Sequence, residues 1–220
     1  MPFLIILVIA GFVFFKFYNS PEKKRLRELC AGKSPEQQNV IKYFIDGGCL
    51  SKSMSDSEYE SLIASKVSGL NTKKMALDTI GLDIDEVSEI PPVELQGYSY
   101  EGATYIKKNA SGKYVSSKYQ ITWLFFSSTQ VYTYTYFISL DKDEKYQNTL
   151  EYFYKDVTSF STSTAPQEFS DSKGNTEKFQ SAMFKMVVPG DSFFASITDV
   201  SNADQILQAM KQKLREKKSM

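Results

Sequence analysis

Residues 131–140, VYTYTYFISL, decide the fold class of this chain. Tyr132, Tyr134 and Tyr136 occupy every second position, with a threonine between each pair of tyrosines. Side chains that alternate in this way point to opposite faces of a β-strand, and strands favour aromatic and β-branched residues. The stretch therefore predicts a strand with its tyrosines on one face.

The alternation continues on both sides of residues 131–140, interrupted by short polar turns such as KKNASGK at 107–113. We expect seven antiparallel strands, because turns of this length join strands that run in opposite directions. After the last strand, Ser201 is a candidate N-cap for a helix with apolar residues at helical spacing up to Leu214. The predicted strands cover 98–106, 119–125, 131–140, 150–155, 157–162, 179–188 and 193–197.

Residues 34–90 have a different pattern, with apolar residues three or four positions apart between candidate helix caps. Ser34 and Gln37 have the spacing of a capping box. The segment predicts several short amphipathic helices, which end before Pro91 because proline disfavours a helical residue ahead of it. A basic helix or stalk is expected at 19–33.

The chain begins with an apolar run, MPFLIILVIAGFVFFKFY at residues 1–18, and a cluster of lysines and arginines follows between 16 and 27. As a helix, this run spans roughly 25 Å, close to the ~30 Å of a bilayer core. The run predicts a single-pass anchor in the cell membrane, and the basic cluster places the following residues in the cytoplasm by the positive-inside rule. A cleaved signal peptide is the alternative, although such peptides carry basic residues before the apolar stretch.

Composition argues against several kinds of site. The chain has no histidine, which is the commonest general base and the commonest metal ligand. Its two cysteines, Cys30 and Cys49, cannot form an ordinary zinc site by themselves. We therefore expect no metal and no cofactor. Basic and acidic residues number 26 each, and this balance argues against nucleic acid as a partner.

The predicted strand order and the segment EYFYKDVTSF at 151–160 resemble the pleckstrin-homology (PH) family, in particular bacterial PH-like and GRAM-like domains. The stretches IPPVELQGYSYEG and KYQITWLFFSSTQVY are similar to a group of uncharacterised bacterial membrane-anchored proteins. The resemblance covers residues 92–218. It implies a seven-stranded antiparallel β-barrel or sandwich capped by a C-terminal helix.

The same resemblance implies an anionic lipid headgroup as a ligand of the first hairpin. Lys107, Lys108 and Lys113 occupy the matching positions. The family's lysine–arginine motif is incomplete in this hairpin, so a solvated turn is the alternative interpretation of these lysines.

These features together predict an α+β protein with four segments. An anchor at 1–18 is followed by a basic stalk at 19–33, a small helical segment at 34–90 and a PH-like domain at 91–220. The expected function is non-enzymatic, namely a membrane-tethered binding or scaffolding module with a protein partner.

Tyr132, Tyr134 and Tyr136 form the partner face if they point outward, and they are core residues if they point inward. Two other functions stay open. An enzyme would use carboxylates with lysine or tyrosine, and its candidate carboxylates are those of Glu101, Asp141 and Asp156. A structural protein would oligomerise through the helices at 34–90.

Overall fold

The structure, a computed structural model, describes residues 20–45, 53–87, 90–170 and 176–197, together with positions 208, 211, 215 and 216. The chain divides into two compact units, Met1–Ser55 and Asp56–Met220, and each is described by itself.

The described part of the first unit consists of two helices, α1, Pro21–Cys30, and α2, Pro35–Ile45. Both begin at a proline, whose missing N–H would have had no partner in the first turn. Ser34 and Gln37 form the capping box that the sequence predicts. The backbone N–H of Gln37 donates to Ser34 Oγ at 3.2 Å, and that of Ser34 donates to Gln37 Oε1 at 3.0 Å. Helix α2 buries an apolar stripe of Val40, Ile41 and Tyr43.

The second unit begins with helices α3, Asp56–Ser68, and α4, Thr72–Ile80. Asn71 caps α4, since its side chain accepts a hydrogen bond of 3.2 Å from the backbone N–H of Lys74. Gly81 ends the helix with φ of 78°, a left-handed conformation that glycine adopts without strain. A short 3-10 turn follows before the first strand.

The described residues of the second unit include nine strands. They are β1, Ile90–Tyr98; β2, Ile106–Lys108; β3, Tyr114–Ser116; β4, Lys118–Phe126; β5, Gln130–Ser139; β6, Lys145–Phe153; β7, Ser159–Ser170; β8, Thr176–Val188; and β9, Asp191–Ser196. Four of them form a sheet in the order β1-β4-β5-β6, and three form a sheet in the order β7-β8-β9. Strands β2 and β3 pair as a short hairpin, and all the pairings are antiparallel.

The hydrophobic core lies between the four-stranded sheet and the three-stranded sheet. Leu124 and Phe126 of β4 and Val131 of β5 pack in one cluster with Phe184 and Met186 of β8. Each of these side chains is at most 1% exposed. The unit is therefore built around a β-sandwich, in which the inner faces of two sheets form the core.

Strand β1 of the first sheet approaches β9 of the second closely at Gly97. A Cβ added at this glycine would lie 2.8 Å from Ser196 Cβ and 3.0 Å from the backbone nitrogen of Ile197. Next to this approach, Ser196 Oγ donates to Gln120 Oε1 at 3.1 Å, and Gln120 Nε2 donates to Thr122 Oγ1 at 3.0 Å. A polar link thus joins β9 to β4 inside the sandwich.

The expected seven-stranded PH-like barrel is wrong. The described strands form three separate sheets, and the boundaries differ from the predicted ones. Strand β1 includes Pro91 and Pro92, because proline is tolerated at the edge of a sheet, and the register is irregular between Ile90 and Val93. The polar composition of residues 163–176 predicts a loop, but β7 continues to Ser170 because each of residues 163–170 pairs with β8, which begins at Thr176.

The membrane-spanning part of the expected fold is not supported either. Residues 1–18 lie outside the described residues. Among the helices that the structure does describe, none is long and apolar enough to cross a membrane. The predicted C-terminal helix also lies largely outside the described residues, although Gln208, Lys211, Arg215 and Glu216 are helical.

Candidate functional site

The second unit contains an open groove with a volume of about 820 Å³. Ile63 and Val67 of α3 line one part of it, and the β2–β3 hairpin and the end of β1 line another. Residues 179–182 of β8 complete the lining. A volume of this size is within the range of about 300–1,000 Å³ found for ligand sites.

Three aromatic rings form a continuous surface in the groove, which we name the aromatic wall: Tyr100, Tyr114 and Phe179. The rings of Tyr114 and Phe179 stack at 3.9 Å between centroids, and Tyr100 meets Phe179 edge-on at 4.9 Å. The Tyr100 hydroxyl donates to the backbone carbonyl of Tyr114 at 3.0 Å, and burial raises the pKa of Tyr100 to about 12. The wall is thus held together by both ring contacts and a hydrogen bond.

A second aromatic pair lines the groove beside β1. Tyr98 and Tyr119 occupy opposite positions in the β1–β4 register, and their rings meet edge-on at 5.5 Å. Burial raises the pKa of Tyr98, and the nearby carboxylate of Glu60 raises that pKa further. The Tyr98 phenol therefore stays protonated at neutral pH and can donate a hydrogen bond.

Charged and polar residues lie among those that line the groove. The Oγ atom of Ser181 is buried and has no hydrogen-bond partner among the described residues. Glu60 is exposed, and within the described part of the chain no ion pair or hydrogen bond engages its carboxylate. Lys113, on the β2–β3 turn, is the other charged residue of the described lining. The lining therefore combines aromatic rings with one free anion, one cation and one unsatisfied hydroxyl.

Helix α3 is fixed to the hairpin by hydrogen bonds from both elements. The hydroxyl of Tyr59, a fully buried residue, donates to the Ser116 carbonyl at 2.6 Å. The backbone N–H of Ala110 donates to Asp56 Oδ2 at 2.8 Å. These two bonds hold the helix and the hairpin at a fixed separation, and this separation keeps the groove open.

The three lysines predicted to bind an anion lie in different surroundings. Lys107 and Lys108 are neighbours on β2, and adjacent strand residues point to opposite faces. Lys107 is half-buried, and burial lowers its pKa while Asp56 partly opposes that shift. The amine of Lys108 lies 5.8 Å from the centroid of the Tyr114 ring. Lys113 is exposed and lines the groove.

The tyrosines of β5 lie on the face of the sheet that carries Trp123. Tyr134 is fully buried, Tyr136 is 7% exposed, and their rings stack at 6.5 Å. Tyr132 is half-buried, and its hydroxyl donates to Gln130 Oε1 at 2.8 Å. Helix α4 packs on β4 and β5, and Trp123 Nε1 donates to Thr72 Oγ1 at 3.0 Å. The structure thus places Tyr134 and Tyr136 in the interior of the unit.

The candidate catalytic carboxylates do not lie in one cleft. Asp141 follows β5 and is buried, whereas Asp156 follows β6. The two residues are therefore at opposite ends of β6, a strand of roughly 30 Å. Glu101 is exposed on the turn after β1. Across the described ranges, no group of three or more acidic or cysteine side chains is arranged to hold a metal ion.

Comparisons with protein-family models, with curated proteins and with solved structures find no match to this chain. No family is therefore assigned, and nothing in these comparisons identifies a PH-like domain.

The sequence predicts that Tyr98, Tyr100 and Phe179 lie in strands, but it does not predict that they line one groove. Aromatic residues are abundant, with 14 tyrosines and 16 phenylalanines, but these counts do not indicate which of them line a groove. Which of these rings share a groove is decided by the pairing of β8 with β7 and by the position of α3.

Proposed function

We propose that this chain is a non-enzymatic binding module, and that its groove takes an extended segment of a partner protein. The proposal rests on one observation: the groove has an aromatic wall and, next to Tyr98, the unengaged carboxylate of Glu60. The segment would carry a basic side chain next to apolar ones.

The shape and lining of the groove favour a peptide. Protein recognition of extended segments repeatedly uses grooves lined by aromatic side chains, which offer large rigid surfaces at low entropic cost. The aromatic wall fits apolar side chains of such a segment.

The charges of the groove determine which peptides fit. Glu60 attracts a lysine or arginine side chain, and Tyr98, which lines the same groove, offers an aromatic ring for a cation–π contact with that cation. Lys113 lies on the β2–β3 turn and offers a partner for an acidic side chain of the same segment. We therefore expect segments that contain both charges around an apolar centre.

The arrangement of the acidic residues supports a binding role rather than catalysis. A hydrolytic or transfer reaction that uses two carboxylates needs them in one cleft. Asp141 and Asp156 are separated by the length of β6, and the groove is lined by one carboxylate, that of Glu60, within its described lining.

The test is selection of peptides on the full chain from a random dodecapeptide library displayed on phage. Enriched peptides should contain a basic residue next to aliphatic or aromatic residues. For a synthetic peptide of the enriched sequence, Phe179→Ala should weaken binding about tenfold or more, as truncation of a central aromatic residue does. Calorimetric titration measures this change. Phe194→Ala is the matched control, since Phe194 is an exposed ring on β9 outside the groove.

A further pair of variants tests the contribution of the Glu60 carboxylate. Glu60→Gln should weaken the binding of a lysine-containing peptide more than the binding of the same peptide with alanine in place of the lysine. Asp78→Asn, a matched change on α4, should leave the affinity for both peptides unchanged. Failure of the library to enrich any sequence, or full binding by Phe179→Ala, would overturn the proposal.

A further inference from the structure

Strand β6 is an edge strand with an exposed surface. It is the last strand in the order β1-β4-β5-β6 and pairs with β5 along one side. Residues 145–149 are exposed, as are Glu151 and Phe153. Tyr146 is 52% and Phe153 is 48% exposed, which is unusual for large hydrophobic side chains of a single strand. An edge of this kind offers unpaired backbone groups to another strand.

The register of the sheet shows which backbone groups of β6 point outward. Tyr154 N–H donates to the Thr129 carbonyl at 3.1 Å, and Ser139 N–H donates to the Glu144 carbonyl at 3.1 Å. In an antiparallel ladder, residues that bond to one neighbour alternate with residues that point the other way. The even-numbered residues of β6 therefore bond to β5. The outward groups belong to Lys145, Gln147, Thr149 and Glu151.

The sequence of β6, KYQNTLEYF, is complementary to itself in the antiparallel direction when it is centred on Asn148. In this register Lys145 faces Glu151 of a second copy, and Glu151 faces its Lys145. Gln147 faces Thr149, and these four residues are the ones with outward backbone groups. On the other face of the sheet, Tyr146 lies opposite Leu150 of the second copy.

We propose that β6 pairs with β6 of a second copy of this chain, antiparallel and centred on Asn148, and that this pairing joins two four-stranded sheets into one of eight strands. The pairing is isologous, so each contact occurs twice around a twofold axis. Opposite charges directly across a ladder stabilise it, and so do aromatic–aliphatic pairs such as Tyr146 with Leu150.

Other registers lose these contacts. A shift of two residues in one direction places Lys145 opposite Thr149 and Glu151 opposite Asp143. The opposite shift places Lys145 opposite Phe153 and Glu151 opposite Gln147. A shift of one residue sets outward backbone groups against inward ones. The register centred on Asn148 is thus the one in which both ion pairs form.

Lys145 has an alternative role to consider, because charged residues on edge strands often prevent pairing with other strands. The two roles predict different effects of Lys145→Glu on dimerisation. If Lys145 only protects the edge, the full chain is monomeric with either residue. If Lys145 pairs with Glu151, Lys145→Glu sets two carboxylates against each other on both sides of the axis.

The first test is sedimentation equilibrium of the full chain over a concentration series. The wild-type chain should dimerise, and Lys145→Glu and Glu151→Lys should each weaken dimerisation about tenfold. The double variant K145E/E151K should restore it, because the ion pairs form again with their signs exchanged. Lys74→Glu, the same charge change at an exposed position on α4, should have no effect. A monomeric wild-type chain, or a double variant without recovery, would overturn the pairing.

The second test reads the register directly. Asn148 faces Asn148 of the second copy at a position without ladder hydrogen bonds, where the two Cα atoms are about 4.5 Å apart and a disulfide can form. Asn148→Cys should therefore give a disulfide-linked dimer on mild oxidation. Gln147→Cys is the matched control, because its two Cα atoms would be roughly 8 Å apart. Equal cross-linking of the two variants would show association through another surface and would contradict the proposed register.

Discussion

The hydroxyl of Tyr59 donates a 2.6 Å hydrogen bond to the backbone carbonyl of Ser116, a residue 57 positions later in the chain. Both residues are completely buried. The bond connects α3 with the β2–β3 hairpin, and residues of both elements line the groove. A single side chain thus links the helical part of the second unit to the site that we propose for a partner segment.

Tyr59→Phe should lower the free energy of unfolding by about 1–3 kcal/mol, because the Ser116 carbonyl would lose its donor in a buried position. Urea denaturation followed by circular dichroism measures the change. Tyr146→Phe is the control: it removes a hydroxyl from an exposed residue and should change stability by less than about 0.5 kcal/mol. Equal stability of the Tyr59→Phe variant and the wild-type chain would contradict a structural role for this bond.

Gly97→Ala should destabilise the sandwich by about 1–3 kcal/mol, the usual cost of overpacking. The new methyl group would lie 2.8 Å from Ser196 Cβ, so β1 and β9 must move apart. Thermal unfolding measures the loss. Gly69→Ala is the matched control, because the nearest atom to its added Cβ is a backbone oxygen at an ordinary distance of 3.4 Å. A Gly97→Ala variant with unchanged melting temperature would show that the two sheets do not meet at this position.

Stability should fall at alkaline pH in part through Tyr152. Burial, the hydrogen bond from its hydroxyl to Asp191 Oδ2 at 3.1 Å and the charge of that carboxylate together raise the pKa of Tyr152 to about 12. The usual tyrosine pKa is about 10, so the folded chain holds this proton more tightly than the unfolded chain. The stabilisation is complete below pH 10 and is lost as pH rises towards 12.

Urea denaturation at a series of pH values between 8 and 11 measures this decline. Tyr152→Phe should make the decline of the free energy of unfolding with pH less steep, because the variant has no phenol to ionise at this position. Asp191→Asn should flatten it less, since burial, the largest cause of the raised pKa, remains. A decline of equal steepness in wild type and Tyr152→Phe would contradict the assignment.

Thr72→Val should lower the free energy of unfolding by about 1–3 kcal/mol. The substitution keeps the shape of a buried side chain but removes the oxygen that accepts the hydrogen bond from Trp123 Nε1. Thr72→Ser is the control that keeps this acceptor. The chain has one tryptophan, so its fluorescence during denaturation reports on this contact between α4 and β4. Equal losses in the two variants would indicate that packing, not the hydrogen bond, holds α4 in place.

Local signals in the sequence were sufficient for the described helices between residues 21 and 80 and for the central strands. The capping residues Ser34 and Asn71 stand where the structure begins α2 and α4, because a cap depends on contacts within one turn. The alternation at 131–140 likewise identifies β5. Its tyrosine face could not be assigned, because both faces are covered: Thr133 is 1% exposed and Tyr134 is fully buried.

Contacts between residues far apart in the sequence could not be predicted from these local signals. The ring contact between Tyr100 and Phe179 depends on the position of β8 relative to the β2–β3 hairpin. The residues next to Tyr100 or Phe179 in the sequence do not predict that position. The extension of β7 over 163–170 has the same origin, since pairing with β8 stabilises a strand whose residues, STAPQEFS, include proline and several polar types that disfavour strands on their own. The number of sheets is determined by such pairings. The prediction of one seven-stranded barrel was therefore wrong, although many of the individual strands were predicted.

The link between Ser196 and Gln120 has a consequence for the speed of folding. These residues are 76 positions apart, and the strands that carry them must meet before the sandwich can close. Closing so long a loop is entropically costly before the contacts form, and chains dominated by distant contacts fold in milliseconds to seconds rather than microseconds. The helices and the local hairpins should therefore form first, and the docking of β9 should be the slow step.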